Sequence, residues 1–191
     1  MTNPRRVTPN LILAGFMGTG KSSVAACIAG WTGHHVLDFD AALAAQFGKP
    51  IARIFAEEGE RAFRAAEAAL CRSIPLGAGW IVAVGGGAVV DPGNRAALAE
   101  RGVLVCLTAD PVELVARLTA PEAGTRPLLG TDPEAAVRAL LAARAPAYAA
   151  IPLQVDTTGL DVHAVAGRVL VLYESTLMPP TQGESRSADA S

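Results

Sequence analysis

Residues Gly15-Phe16-Met17-Gly18-Thr19-Gly20-Lys21-Ser22 set four residues between two glycines and follow them with Lys-Ser. The short apolar run Leu11-Ile12-Leu13-Ala14 lies just upstream, and a helix-compatible stretch, Val24 to Ala29, lies just downstream. That context fits a strand, a tight loop and a helix, with the loop's backbone N–H groups converging on an anion. Glycine lets the chain approach phosphate oxygens closely, and the helix N-terminus adds partial positive charge. The pattern is that of a phosphate-binding loop and points to a nucleoside triphosphate, with Lys21 reaching the β/γ-phosphates and the Ser22 hydroxyl on Mg²⁺. A glycine-rich turn that binds nothing is the plain alternative. Against it, the chain has 14 arginines and only two lysines, Lys21 and Lys49. A compact ammonium at this position is a different device from a planar guanidinium.

The remaining short apolar runs, 35–38, 80–84, 103–107 and 153–156, alternate with helical stretches at 21–32, 40–47, 51–57, 59–73, 93–101, 110–119, 133–149 and 161–176. Five nearly continuous apolar strands separated by helices predict an α/β fold. Its parallel sheet is covered on both faces, and ligands sit beyond the C-terminal strand ends. Pro92, Pro111 and Pro133 suit first helical turns. With 191 residues and 51% hydrophobic content the chain fits one domain. Residues 1–9 and 178–191 are expected to be flexible tails on a domain spanning 10–177, and 121–132, rich in Pro, Gly and Thr, to be a long functional loop.

A net charge of −2 gives no electrostatic footprint for nucleic acid or an anionic membrane, and no apolar stretch is long enough to span a bilayer. The widely spaced Cys27, Cys71 and Cys106 resemble small buried hydrophobes more than disulfide partners, which implies a reducing cytoplasm.

Three constellations follow the strands. Asp38-Phe39-Asp40 places two carboxylates at i and i+2 after the second strand. Either can turn toward the phosphates, one to hold Mg²⁺ through water and another to accept a hydrogen bond from an attacking hydroxyl; alternatively Asp40 merely caps a helix starting at Ala41. Gly85-Gly86-Gly87 follows the third strand and costs backbone entropy that a tight turn or a close ligand approach would offset. The third set is Arg64, with Glu67 at i+3 on the same helical face, Arg126 before Pro127-Leu128-Leu129, and Arg144 before Ala145-Pro146-Ala147-Tyr148. Arg117 is either a surface charge or a group that stacks on a base.

Taken in order along residues 10–172, these pieces resemble the shikimate kinases, P-loop kinases of the nucleoside-monophosphate-kinase-like group. The resemblance implies a three-layer α/β/α fold with a five-stranded parallel sheet in 2-3-1-4-5 order and a mobile lid at 121–132. It implies ATP-dependent phosphorylation of the 3-hydroxyl of shikimate on the way to chorismate, in a cytoplasmic monomer that binds neither nucleic acid nor membrane. Carried over by position, Gly18, Thr19, Gly20, Lys21, Ser22, Ser23, Arg117 and Arg126 bind the nucleotide. Asp40, Arg64, Gly86, Gly87 and Arg144 hold shikimate, with Phe55 and Phe63 walling its site. Ser22 and Asp38 hold Mg²⁺, Lys21, Asp40 and Arg126 are catalytic, and Arg126 sits on the lid. The rival readings are another small-molecule kinase of this fold, such as a gluconate kinase, and a catalytically silent ATP-binding module.

Overall fold

The computed structural model describes residues 8–120 and 132–178. The elements, in order, are β1 (Asn10–Gly15), α1 (Lys21–Thr32), β2 (Val36–Asp38), α2 (Phe39–Phe47), α3 (Ile51–Glu57), α4 (Gly59–Ser73), β3 (Ile81–Ala83), a 3-10 turn at Ala88–Val90, α5 (Pro92–Arg101), β4 (Gly102–Thr108), α6 (Pro111–Thr119), α7 (Pro133–Ala149), β5 (Leu153–Asp156) and α8 (Val162–Leu177). All five strands are parallel, in the order β2-β3-β1-β4-β5. This is the order the resemblance implied.

Period-two alternation in β1 divides the core into two layers. Leu11 and Leu13 point to the face covered by α1 and α8, where Val24, Ile28, Val165 and Val169 are buried. Ile12 and Ala14 point to the opposite face, against Phe39, Cys71, Leu98 and Leu114 from α2, α4, α5 and α6. A smaller cluster of Leu43, Ile54 and Phe63 joins α2, α3 and α4 beside the sheet. Lys49 closes that flank by donating to Glu57 Oε2 at 2.8 Å and Glu58 Oε1 at 2.6 Å.

Helix boundaries fall within about a residue of the expected ones, and aspartates set the starts of α2, α5, α6, α7 and α8. Asp38, Asp91, Asp110, Asp132 and Asp161 each accept a backbone N–H two or three residues on. Pro92, Pro111 and Pro133 lie in first turns as expected. Cys71 and Cys106 are buried and their thiols are pushed up to about 12 and about 11 by desolvation. Cys27 departs from the expected buried hydrophobe: it is half-buried, 3.3 Å from His163 Nδ1. At the other end of the sheet Thr8 bridges to Ala78, and the Tyr173 hydroxyl donates to Pro9 O at 2.5 Å. Those two residues of the expected 1–9 tail are therefore tied to the domain, while 1–7 and 179–191 lie outside the described residues.

Asn10, completely buried, clamps that N-terminal edge. Its amide donates to Pro75 O and Arg101 O, both at 2.8 Å, and its carbonyl accepts Trp80 N–H at 2.8 Å. One side chain thus holds the entrances of β3 and β4 beside β1. Asn10→Ala is expected to leave those groups unpaired and to lower unfolding free energy by about 2–4 kcal/mol. Urea denaturation should show a lower midpoint at unchanged slope; a loss below about 0.5 kcal/mol would reject the clamp.

Candidate functional site

The parallel register brings the C-terminal ends of β1, β2 and β3 to one rim, with Leu13 and Asp38 both opposite Ala83. From β1 the chain enters the loop through Gly15, whose φ of +133° suits glycine and whose missing Cβ would strike the Leu107 carbonyl. Thr19 is buried, and its hydroxyl donates to Phe16 O at 2.8 Å, closing the loop from inside. Gly20, at φ +89°, begins α1 with no side-chain cap, so the helix's first N–H groups face the loop. Lys21 Nζ donates to Gly15 O at 3.0 Å and Phe16 O at 2.9 Å, which holds the ammonium at the loop.

This loop borders a cleft of about 470 Å³ whose lining also includes Ser22, Ser23, Asp38, Asp40, Gly86, Arg117 and Thr157. Ser22 Oγ donates to Asp38 Oδ2 at 2.5 Å, while Asp38 Oδ1 accepts Ala41 N–H at 3.1 Å. Asp38 thus both caps α2 and presents a carboxylate beside the serine. The alternative that Asp40 caps this helix is corrected: Asp40 lies one residue inside the first turn, facing the cleft.

Arg117 is a wall of the cleft and not a solvated charge. Its guanidinium donates to Gly18 O at 3.2 Å, Thr157 Oγ1 at 3.1 Å and Thr157 O at 2.9 Å, and pairs with Glu113. Glu113 in turn accepts Gly159 N–H at 2.8 Å. These contacts stitch the phosphate loop to the connection between β5 and α8. Thr157 carries no sequence signal because Arg117 is forty residues away, whereas Glu113 stands at i,i+4 from Arg117 and only its bond to Gly159 is remote.

On the other side of Gly86 stands a second group of residues. Arg64, on α4, donates to Glu67 Oε2 at 2.7 Å and lies 5.3 Å from the Phe63 ring centroid and 5.9 Å from that of Phe55. Glu67 is 1% exposed, and burial holds its carboxyl above the ordinary value while Arg64 pulls it back down. Arg144, on α7, has its guanidinium carbon 6.0 Å from the Phe16 ring centroid. Between the arginines runs Gly85-Gly86-Gly87, none of which has positive φ. The glycines supply room: a Cβ at Gly85 would lie 2.5 Å from Glu67 Oε1, one at Gly86 would lie 3.2 Å from Gly15 O and 3.4 Å from Met17 N, and one at Gly87 would overlap the Arg64 guanidinium. At Gly85 and Gly87 the close approach is therefore by the protein's own charged groups, and at Gly86 by the phosphate-loop backbone, neither of which sequence spacing reveals.

The structure brings together Gly18, Thr19, Gly20, Lys21, Ser22, Ser23, Asp38, Asp40, Gly86 and Arg117 at the cleft, with Arg64, Gly87 and Arg144 grouped beside Gly86 and outside that lining. Arg126 and the expected lid, apart from Asp132, lie outside the described residues.

A family model described as shikimate kinase matches residues 17–173. A shikimate kinase from Desulforudis audaxviator is 45% identical over 165 residues, covering 86% of this chain and 85% of that protein. One from Geobacter metallireducens is 42% identical over 161 residues, covering 84% and 89%. Among solved structures, shikimate kinase from Acinetobacter baumannii in complex with shikimate superposes with a TM-score of 0.82 at 30% identity, covering 91% of this chain and 97% of that one.

The raised Glu67 carboxyl sets a pH test. The fold holds this proton more tightly than the unfolded chain, whose value is near 4.5, so the carboxyl's contribution is greatest below that value and declines as pH rises through the folded one. Wild-type stability measured against Glu67→Gln in urea should fall progressively as pH rises above 4.5. A difference independent of pH would contradict the burial argument.

Proposed function

This chain belongs to the shikimate kinase family, and on that premise we propose how its own residues transfer the terminal phosphoryl group of ATP to the 3-hydroxyl of shikimate. The observation that carries the reading is the gathering of Arg64 and Arg144, from separate helices, at the glycine turn, whose Gly86 lines the same cleft as the phosphate loop. Shikimate is a small polyol with one carboxylate, which two guanidinium groups suit. Gluconate shares the carboxylate, so the choice between them belongs to the assay.

The loop N–H groups and Lys21 take the triphosphate, with Lys21 exchanging its carbonyl partners for phosphate oxygens. Ser22 Oγ and Asp38 Oδ2, 2.5 Å apart, form a hard-oxygen pair that fits Mg²⁺ and would hold it. The ion would supply neutralisation of charge on the phosphates. Asp40, on the same cleft, orients the acceptor hydroxyl and takes its proton. Arg117 braces the nucleotide side, and the family resemblance carries Arg126 over as a further cation for the transferring group. Phosphoryl transfer needs chiefly positioning and charge stabilisation, and these groups are held for both.

The proposal takes residues 10–177 as the working domain, acting as a cytoplasmic monomer. The described residues lining the cleft run from Met17 to Val165, within that range, and the three cysteines are free. Among the described residues no helix is long and apolar enough to cross a membrane.

Purified protein with Mg-ATP should form ADP on addition of shikimate, and not with gluconate or a nucleoside monophosphate in its place; equal turnover with all three would sink the substrate assignment. Asp40→Asn should lower kcat by about 100-fold or more while ATP binding persists. Unchanged turnover in that variant would remove Asp40 from the mechanism. Lys21→Ala should abolish phosphoryl transfer, and normal rates would overturn the phosphate-loop assignment.

A further inference from the structure

One buried side chain touches both halves of the acceptor end without lining the cleft. Tyr148, on α7, is 7% exposed, and its hydroxyl donates to the Gly86 carbonyl at 2.8 Å. Arg144, four residues earlier and so one turn away on the same helix face, has its guanidinium beside the glycine turn, where a Cβ on Gly86 would lie 3.6 Å from Nη1. The ring packs in the core layer with Phe16 and Leu114, and the Tyr148 carbonyl accepts Gln154 Nε2 at 3.2 Å and Ile151 N–H at 3.0 Å. The phenol is thus fixed at its base and spends its one proton on the glycine turn.

The direction of that bond matters. No peptide bond among the described residues is cis, so the Gly87 N–H points opposite to the Gly86 C=O within one plane. Holding the carbonyl toward α7 turns the Gly87 N–H away from α7. Glycine has no side chain to hold this plane, and Gly85–Gly87 supplies three such residues in a row. Ala88 N–H on Gly85 O at 3.0 Å and Val90 N–H on Gly87 O at 3.1 Å fix the ends of the turn, and the Tyr148 hydroxyl is the side chain that holds the Gly86–Gly87 peptide between them.

We propose that Tyr148 is a positioning residue for the acceptor: its hydroxyl sets the Gly86–Gly87 peptide plane beside the Arg144 guanidinium, orienting the amide that receives the acid substrate. The inference rests on the acceptor reading above. Tyr148 touches no reacting atom; its ring packs with Phe16 of the phosphate loop, while its hydroxyl bonds the glycine turn. Loss of the hydroxyl alone therefore falls on the acceptor turn. Burial raises the phenol's pKa, so it stays a donor at neutral pH.

Tyr148→Phe keeps the ring and deletes the hydroxyl. It should raise KM for shikimate about tenfold, the worth of one well-placed hydrogen bond, with KM for ATP unchanged within about twofold. Equal KM values for shikimate in variant and wild type would overturn the proposal, as would a parallel rise in both KM values, which indicates a general loosening. A second readout leaves the hydroxyl in place. Tyr148 and Tyr173 are the only tyrosines, so 3-fluorotyrosine labelling in a Tyr173→Phe background gives a single ¹⁹F resonance. That resonance should shift on adding shikimate and stay within its linewidth on adding ADP alone; no response to shikimate defeats the assignment even if the phenylalanine variant does not fold. Absence of shikimate-dependent turnover in the wild type would defeat the kinase reading itself, whereas wild-type turnover with an indifferent variant defeats only the role of Tyr148.

Discussion

The pairing of β1 on both of its edges, with β3 on one side and β4 on the other, is the constraint on which the site depends. Because the strands are parallel, their C-terminal ends arrive at one rim, and the connections leaving them meet there. The phosphate loop follows β1, the glycine turn follows β3, and the paired aspartates end β2. Asn10 fastens the opposite edge, so a shift in the register of any of these strands would have to break bonds at both ends. The binding rim can carry loops and glycines that contribute little to stability because the sheet beneath them is held independently.

The cationic groups are held before any ligand arrives. Lys21 rests on two backbone carbonyls, Arg117 on two more and a carboxylate, and Arg64 on a buried glutamate. These partners lower the cost of keeping positive charge in a confined cleft and restrict each side chain to a narrow range of positions. A phosphoryl group in transit meets charges that need little reorganisation, which is where enzymes of this chemical kind gain most of their rate.

Much of this was legible in the sequence where the physics is local. The phosphate loop announces itself because glycine, lysine and serine must occur at fixed offsets between a strand and a helix. The alternation of strands and helices follows from apolar runs and aspartate caps a few residues apart. Where the deciding partner is remote, the sequence is silent. Asp38 and Asp40 look equivalent until the cap bond to Ala41 and the contact with Ser22 separate them. Gly85–Gly87 reads as a turn or a ligand seat, yet its φ values are ordinary, and the space it leaves is taken by Glu67 and Arg64, about twenty residues away. Arg117 looks like one more surface arginine because Thr157 and Gly18 are distant in the chain.

The interlocking of Gly85, Glu67, Arg64 and Gly87 has an evolutionary consequence. Each occupies volume or neutralises charge that another requires, so the four positions form one heritable unit. A lineage that lost Arg64 would inherit a stranded carboxylate in the core, and one that gained a methyl group at Gly85 would have to move that carboxylate first. Single-step drift through this corner of the protein is therefore closed in most directions. New acceptor specificities on this scaffold should arise by replacing the corner wholesale, while the phosphate loop is carried along unchanged.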